Sequence, residues 1–119
     1  MVTSPLHQGN ALAVTLLQEI HRNYNAIRFD QFAALHGVSA AYVSKLMRRV
    51  TGKSCTELLQ TRRLTKAADL LSRTNLSVLE ICAAVGYSNS SHFYRIFEKE
   101  FGCSPSEWRK KSRPQPPEP

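Results

Sequence analysis

The sequence predicts an all-α chain in which two similar helical units are joined by a long helix. Apolar residues recur at helical spacing through most of the chain. Capping residues precede these segments and glycines follow them. No segment alternates apolar and polar residues as a strand does. The 119 residues, 42% of them hydrophobic, suffice for one compact domain or two very small ones.

The first two helices are predicted from their apolar spacing. Residues 10–24 form a first helix, since apolar residues recur there at i, i+3, i+4 and i+7. These residues are Ala13, Leu16, Leu17 and Ile20. A short second helix ends near Gly37. Its apolar residues are Phe29, Phe32, Ala33 and Leu35.

The third and fourth helices follow without a long loop. Ser39 is a suitable N-cap for the third helix, and Gly52 stops it. Its predicted inward residues are Val43, Leu46, Met47 and Val50. The fourth helix is predicted over residues 54–73, beginning at a capping box from Ser54 to Glu57. Its apolar residues are Leu64, Ala67, Ala68 and Leu71. About eighteen residues give this helix a length of roughly 27 Å.

Three further helices complete the chain. The fifth begins at a capping box from Ser77 to Glu80 and ends at Gly86. Its apolar residues are Val78, Ile81, Cys82 and Val85. The sixth is capped by Asn89 and stopped at Gly102. Its apolar residues are Phe93, Ile96, Phe97 and Phe101. The last carries Trp108 and begins with a capping box and a first-turn proline, at Ser104, Pro105 and Glu107.

The chain repeats itself after about fifty residues. The segment from Gly52 to Glu57 matches the segment from Gly102 to Glu107, and each copy is a short helix, a glycine-containing turn and a longer helix. This is the pattern of a helix-turn-helix motif. The sequence thus predicts two helix-turn-helix subdomains over residues 10–52 and 76–111, with residues 54–73 as the linker helix. Residues 1–9 are predicted to be flexible and the Pro-rich residues 112–119 to form a disordered tail.

The second helix of each motif has a polar face opposite its apolar face. In the first motif the predicted outward residues are Ala40, Ala41, Ser44, Lys45 and Arg48. In the second they are Ser91, His92, Tyr94, Arg95 and Lys99. Exposed helices of this kind fit the DNA major groove. The linker helix could hold them about 34 Å apart, which is one turn of B-DNA, so that one chain reads two adjacent groove segments.

The charge of the chain favours a polyanionic partner. The formal net charge is +7, and residues 45–66 hold seven of the sixteen basic residues with Glu57 as the one acid. Apolar runs are too short to span a membrane. The three cysteines form no CxxC pair, which suits a reducing cytosol better than a disulfide framework or a metal site. Nothing resembles an acid, base and nucleophile constellation, so we expect neither an enzyme nor a cofactor.

The chain resembles the DNA-binding domain of the AraC/XylS family of bacterial transcription regulators. The resemblance covers residues 10–111 and is most specific over residues 67–71 and 77–109. The first half matches more weakly, through Gly37, Ser39, Gly52, Ser54 and the Arg63-Leu64 pair. Arg28 departs from the capping Ser or Thr that is frequent in the family, and Trp108 replaces a common Tyr.

The resemblance implies a regulator, expected to be an activator, that binds double-stranded promoter DNA. The base-reading positions that it implies are Ala40, Ala41, Ser44, Lys45, Ser90, Ser91, His92, Tyr94 and Arg95. Charge and position add the expected phosphate contacts Ser39, Arg48, Arg49, Lys53, Asn89 and Lys99. The expected partners are RNA polymerase and an N-terminal effector or dimerisation domain absent from this chain. The expected location is the bacterial cytoplasm, at the nucleoid, and we expect an excised C-terminal domain rather than a complete protein.

Several residues admit more than one interpretation. His92 is a donor to a base edge or a solvent-exposed histidine, and Tyr94 contacts phosphate, stacks or covers the edge of the core. Arg62 and Arg63 contact phosphate, or Arg63 pairs with Glu57 or Asp69. Since Ala40 and Ala41 can contact only thymine methyls, the alternative function is a helical protein-interaction module that has lost DNA reading.

Overall fold

The computed structural model describes residues 5–113, with side chains from Gly9 onward. This range contains seven helices and no strand, which confirms the predicted all-α class. The helices are α1 (Pro5–Arg22), α2 (Phe29–Leu35), α3 (Ala40–Thr51), α4 (Cys55–Arg73), α5 (Val78–Ala84), α6 (Ser90–Phe101) and α7 (Pro105–Ser112). None of these helices is both long and apolar enough to cross a membrane.

The two ends of the described chain are more helical than the sequence predicts. Helix α1 begins at Pro5, so residues 5–9 are helical where a flexible segment was expected. Proline is well tolerated there, since the first helical N–H has no partner in any helix. Ser112 likewise belongs to α7 and not to the tail. Arg113 follows the helix and donates hydrogen bonds to Thr74 and Asn75. The rest of both predicted flexible segments, residues 1–4 and 114–119, lies outside the described residues.

The residues divide into two compact units, and the division falls inside α4 between Arg62 and Arg63. In the first unit, α1 and α2 both pack against α3. The buried residues of its core are Ala13, Leu16, Ile20, Ile27, Phe32, Ala33, Val43, Leu46, Met47 and Cys55. The first turn of α4 therefore belongs to this core through Cys55.

The second unit has its own core, built by the later part of α4 and by α5, α6 and α7. Its buried hydrophobic residues include Leu64, Ala67, Ala68, Leu71, Ile81, Cys82, Val85, Phe93, Phe97 and Cys103. Phe101 joins Phe97 to Trp108, with ring centroids 4.5 and 4.7 Å away. Trp108 is only partly buried, and its indole N–H donates to the carbonyl of Ala68 at 3.2 Å.

Three residues that the spacing places inward are instead exposed. The exposed fractions are 37% for Leu17, 85% for Leu35 and 42% for Val50. Leu35 lies at the end of a short helix, about 160° around its axis from the buried Ala33. Val50 lies in the last turn of α3, just before Gly52 redirects the chain, and this turn is only partly covered. The helical period thus predicts the buried stripe well but overstates its width and length.

Local capping explains most of the helix boundaries. Gly52 and Gly102 close α3 and α6 with φ angles of 78° and 75°, the left-handed region that favours glycine. Ser77 and Glu80 form both hydrogen bonds of the predicted capping box. At α2, the N-cap residue Arg28 makes no side-chain capping bond and pairs with Asp30 at 3.3 Å. The missing Ser or Thr is therefore not replaced by another side-chain cap.

Candidate nucleic-acid interface

Helix α3 exposes the whole face that the sequence predicts for base reading. Ser39 begins the helix by accepting a hydrogen bond from the N–H of Tyr42 at 3.0 Å. Three residues on the opposite face, Val43, Leu46 and Met47, are buried. The predicted reading residues Ala40, Ala41, Ser44 and Lys45 are all exposed. The face therefore presents two methyl groups, one hydroxyl and one ammonium.

The end of α3 carries the basic part of this surface. Arg48, Arg49 and Lys53 are exposed, and both arginines lie in the last turn. Cations in this position are stabilised by the negative end of the helix dipole. A guanidinium nitrogen of Arg49 lies 3.5 Å from the place of a β-carbon on Gly9. Arg49 thus lies beside Gly9 of α1.

Helix α6 repeats the arrangement with a more polar face. Asn89 accepts a hydrogen bond from the N–H of His92 at 3.0 Å, and Phe93 and Phe97 are fully buried. The predicted reading residues Ser91, Tyr94 and Arg95 are exposed, while Ser90 and His92 are partly buried. Lys99, the predicted phosphate contact, is also exposed. Each predicted set therefore lies together within its own unit.

His92 and Arg95 contact each other on this face. A terminal guanidinium nitrogen of Arg95 lies 3.2 Å from Nδ1 of His92. The edge of one ring faces the other where Tyr87 meets the imidazole, with an interplanar angle of 69° and centroids 5.9 Å apart. Arg95 and Tyr87 thus contact His92 from two sides. Neither sequence-based interpretation of His92, as a base donor or as a solvent-exposed residue, includes these contacts. Tyr94 packs edge-on against the buried Phe93 while remaining 37% exposed, as expected for a residue that covers the core edge.

The two arginines of α4 have defined neighbours. Nε of Arg62 donates to the carbonyl of His21 at 3.1 Å, and its guanidinium lies 5.0 Å from the ring centre of Tyr24. The Arg63 guanidinium lies 5.2 Å from the ring centre of Tyr87. Asp69, a suggested partner of Arg63, is within 4 Å of both Lys66 and Arg73. Arg62 therefore fastens α4 to the end of α1.

Sequence reasoning missed the role of Arg109 in the second unit. Its guanidinium donates to the carbonyls of Leu71, Thr74 and Leu76, where α4 ends and the chain passes to α5. Arg113 donates to Thr74 and to the side chain of Asn75 in the same region. A basic residue in the last helix is one signal, but only the fold brings these distant carbonyls to it. Arg109 thus supplies donors that the helix end lacks.

None of the predicted reading residues is among the groups with shifted pKa values, although one of those groups, Tyr87, packs against His92. Burial raises the pKa of the Cys55 and Cys82 thiols. Burial also raises the pKa of Tyr87, against the opposing effect of the Arg63 charge. The N–H of Gln31 lowers the pKa of the Asp30 carboxyl most strongly. Among the described residues no group of three or more His, Cys, Asp or Glu side chains could hold a metal ion. The geometry of both faces suits binding through donors and cations.

Two helix-turn-helix motifs within one chain, each with an exposed second helix, define the class of protein. A family model described as a helix-turn-helix domain matches residues 32–111. Among curated proteins, the chain is 33% identical over 102 residues to the RCS-specific HTH-type transcriptional activator RclR of Escherichia coli. That match covers 86% of this chain and 36% of the relative. The chain spans about a third of the length of the curated relatives it matches.

Solved structures agree with this class. The C-terminal domain of AraT, a response regulator from Geobacillus stearothermophilus, matches with a TM-score of 0.81 and 29% identity, over 94% of this chain and 89% of that one. A probable AraC family transcriptional regulator from Rhodopseudomonas palustris matches with a TM-score of 0.78 and 30% identity, over 87% and 99%. The chain belongs to the AraC/XylS family of helix-turn-helix regulators.

Proposed function

We propose that this chain is the DNA-binding part of a transcriptional regulator that reads two major-groove segments of duplex DNA, one with α3 and one with α6. The observation that carries the proposal is the division of each helix into a buried apolar face and an exposed face of small and polar residues. Small residues let a helix approach the base edges closely, and polar ones can contact them.

The two helices offer different chemistry to the bases. On α3, Lys45 and Ser44 supply polar groups, while Ala40 and Ala41 offer methyl groups suited to the C5-methyl of thymine. On α6 the reading residues are polar or aromatic. These are Ser90, Ser91, His92, Tyr94 and Arg95. We therefore expect the segment read by α6 to discriminate more strongly through hydrogen bonds.

Phosphate contacts fix each helix in its groove. The exposed cations Arg48, Arg49, Lys53 and Lys99 are suited to this role. Ser39 and Asn89 stand at the helix N-termini, where backbone N–H groups and the positive end of the dipole favour an anion. Both cap oxygens accept a hydrogen bond from their own helix, so the Ser39 hydroxyl proton and the Asn89 amide remain as donors to phosphate.

The same proposal includes the kind of regulation, the protein partners and the location of the native protein. The relative RclR is described as an activator, which supports activation and RNA polymerase as a partner. The curated relatives are about three times as long as the matched region, which supports a further domain in the native protein. We propose that this domain binds an effector or dimerises and precedes the present one. Since we propose promoter DNA as the partner, we also propose that the working protein is in the bacterial cytoplasm, at the nucleoid.

The decisive experiment selects bound duplexes from a random pool. We expect two short conserved boxes about one helical turn apart. On the selected site, Lys45→Ala is expected to cost about 1–3 kcal/mol and relax the preference at one base position. Arg48→Ala is expected to weaken all sequences alike and to flatten the salt dependence by about one unit. Lys110→Ala, which removes an exposed charge from α7, is the matched control.

Two results would contradict the proposal. If the pool yields no enriched sequence and binding to random duplex shows no salt dependence, the chain is better described as a protein-interaction module. If Lys45→Ala and Arg48→Ala change binding in the same way, the division into base and phosphate contacts is wrong.

A further inference from the structure

The hydrogen bond between His92 and Arg95 fixes the protonation pattern of the imidazole. An arginine side chain has five N–H donors and no acceptor. Since a guanidinium nitrogen of Arg95 lies 3.2 Å from Nδ1 of His92, that nitrogen must be the acceptor. A neutral imidazole whose Nδ1 accepts carries its proton on Nε2. His92 is therefore a donor through Nε2, and it holds Arg95 through Nδ1.

The imidazole is also fixed from the side of the protein. The Tyr87 ring meets it edge-on at 5.9 Å and itself packs on the buried Phe93 at 5.7 Å. The Arg63 guanidinium lies over the same tyrosine at 5.2 Å. A partly buried histidine supported in this way can orient the exposed Arg95, whose long side chain otherwise has many rotamers.

We propose that His92 and Arg95 act as one reading unit that presents only N–H donors and therefore selects guanine in the segment read by α6. The inference rests on the proposed function and specifies its substrate. In the major groove, guanine presents two acceptors, N7 and O6, to such a unit. Adenine and cytosine each present an amino donor, and thymine presents one acceptor beside a methyl group, so neither of these patterns matches two donors. In this unit Arg95 contacts the guanine. His92 positions the guanidinium of Arg95 through Nδ1 and donates through Nε2 to an adjacent acceptor.

The first motif has no such unit at the corresponding place. The repeat aligns Val43 with Phe93, so that Tyr42 corresponds to His92 and Lys45 to Arg95. The hydroxyl of Tyr42 lies 3.7 Å from the place of a β-carbon on Gly9, so this side chain extends toward α1. A phenol directed there cannot hold Lys45 as Nδ1 holds Arg95. The two boxes are thus expected to differ, with guanine selected in the second.

The tautomer can be measured in the free protein. Long-range ¹H–¹⁵N correlation spectra recorded at alkaline pH distinguish a protonated ring nitrogen from an unprotonated one. In the wild type we expect the proton of the His92 ring on Nε2. In Arg95→Ala we expect a weaker preference for this tautomer. A wild-type His92 ring protonated mainly on Nδ1 would overturn the proposal, independently of any result on DNA binding.

DNA binding tests the consequence for specificity. On the selected duplex, replacing the contacted guanine by 7-deazaguanine removes one acceptor, and we expect roughly 5- to 100-fold weaker binding by the wild type. Arg95→Ala is expected to be insensitive to this replacement. His92→Asn places an amide near the position of Nδ1 and is expected to keep most of the sensitivity, whereas His92→Gln reaches toward the position of Nε2 and is expected to lose it.

The outcomes separate this inference from the proposed function. If the wild type enriches no sequence, the proposed function fails, while the tautomer still decides whether the pair exists. If two boxes are enriched but the second lacks guanine, or if both histidine variants keep the full sensitivity to 7-deazaguanine, the reading unit is refuted and DNA reading stands. Circular dichroism of each variant, compared with Lys110→Ala, checks that the helices are intact.

Discussion

Arg109 provides the sharpest test of how the second unit is held together. Its guanidinium donates to three backbone carbonyls, those of Leu71, Thr74 and Leu76. Hydrogen bonds from a charged donor contribute about 1.5–3 kcal/mol each when measured singly, and the three share one partly buried side chain. We therefore expect Arg109→Ala to lower the free energy of unfolding by about 3 kcal/mol. For a unit of this size that corresponds to a fall in Tm of roughly 12–24 °C.

The assay compares four proteins by thermal and urea unfolding. Arg109→Met keeps most of the aliphatic stem and removes every donor, so it separates hydrogen bonding from packing. Lys110→Ala removes a neighbouring exposed charge and is expected to change stability by less than about 0.5 kcal/mol. If Arg109→Met is as stable as the wild type, or if Arg109→Ala costs no more than Lys110→Ala, the carbonyl contacts do not stabilise the unit and the reasoning is wrong.

Three further predictions concern a turn, two thiols and a cap. Gly52→Ala is expected to cost about 1 kcal/mol in urea unfolding, since φ is 78° although a β-carbon would meet no atom within 4 Å; an unchanged midpoint would contradict this. Burial raises the pKa of the Cys55 and Cys82 thiols above the ordinary 9.0. Because the unfolded thiols then lose their protons at lower pH than the folded ones, the free energy of unfolding should fall as pH rises above 9.0. A free energy of unfolding that stays constant up to about pH 10 would contradict this prediction. Asn89→Ala removes the capping bond to the N–H of His92 and is expected to lower stability by about 1 kcal/mol, whereas Asn89→Ser should restore it.

Most of the fold could be predicted because its boundaries are set locally. The capping bonds of Ser39, Ser77 and Asn89 join residues three apart, so the sequence contains both partners of each bond. The start of α1 at Pro5 could not be predicted in the same way. No apolar period extends over its first turn, and its place depends on packing such as that of Gly9 against Leu46.

The candidate site also has features that local sequence predicts and features that depend on the fold. Which faces of α3 and α6 are exposed follows from the helical period, and every reading residue except the partly buried Ser90 and His92 is exposed. The period also makes His92 and Arg95 neighbours, but it does not say which ring nitrogen faces the guanidinium. The partners of Arg109 lie more than thirty residues away, and no local pattern marks a backbone carbonyl as an acceptor for a distant side chain.

The two separate hydrophobic cores have a consequence for how such a regulator can evolve. Because α3 and α6 each rest on a core of their own, a substitution on one exposed face leaves the support of the other untouched. If α3 and α6 read DNA as proposed, substitutions on one face can therefore change the preference for one box while the other helix and its box stay as they are.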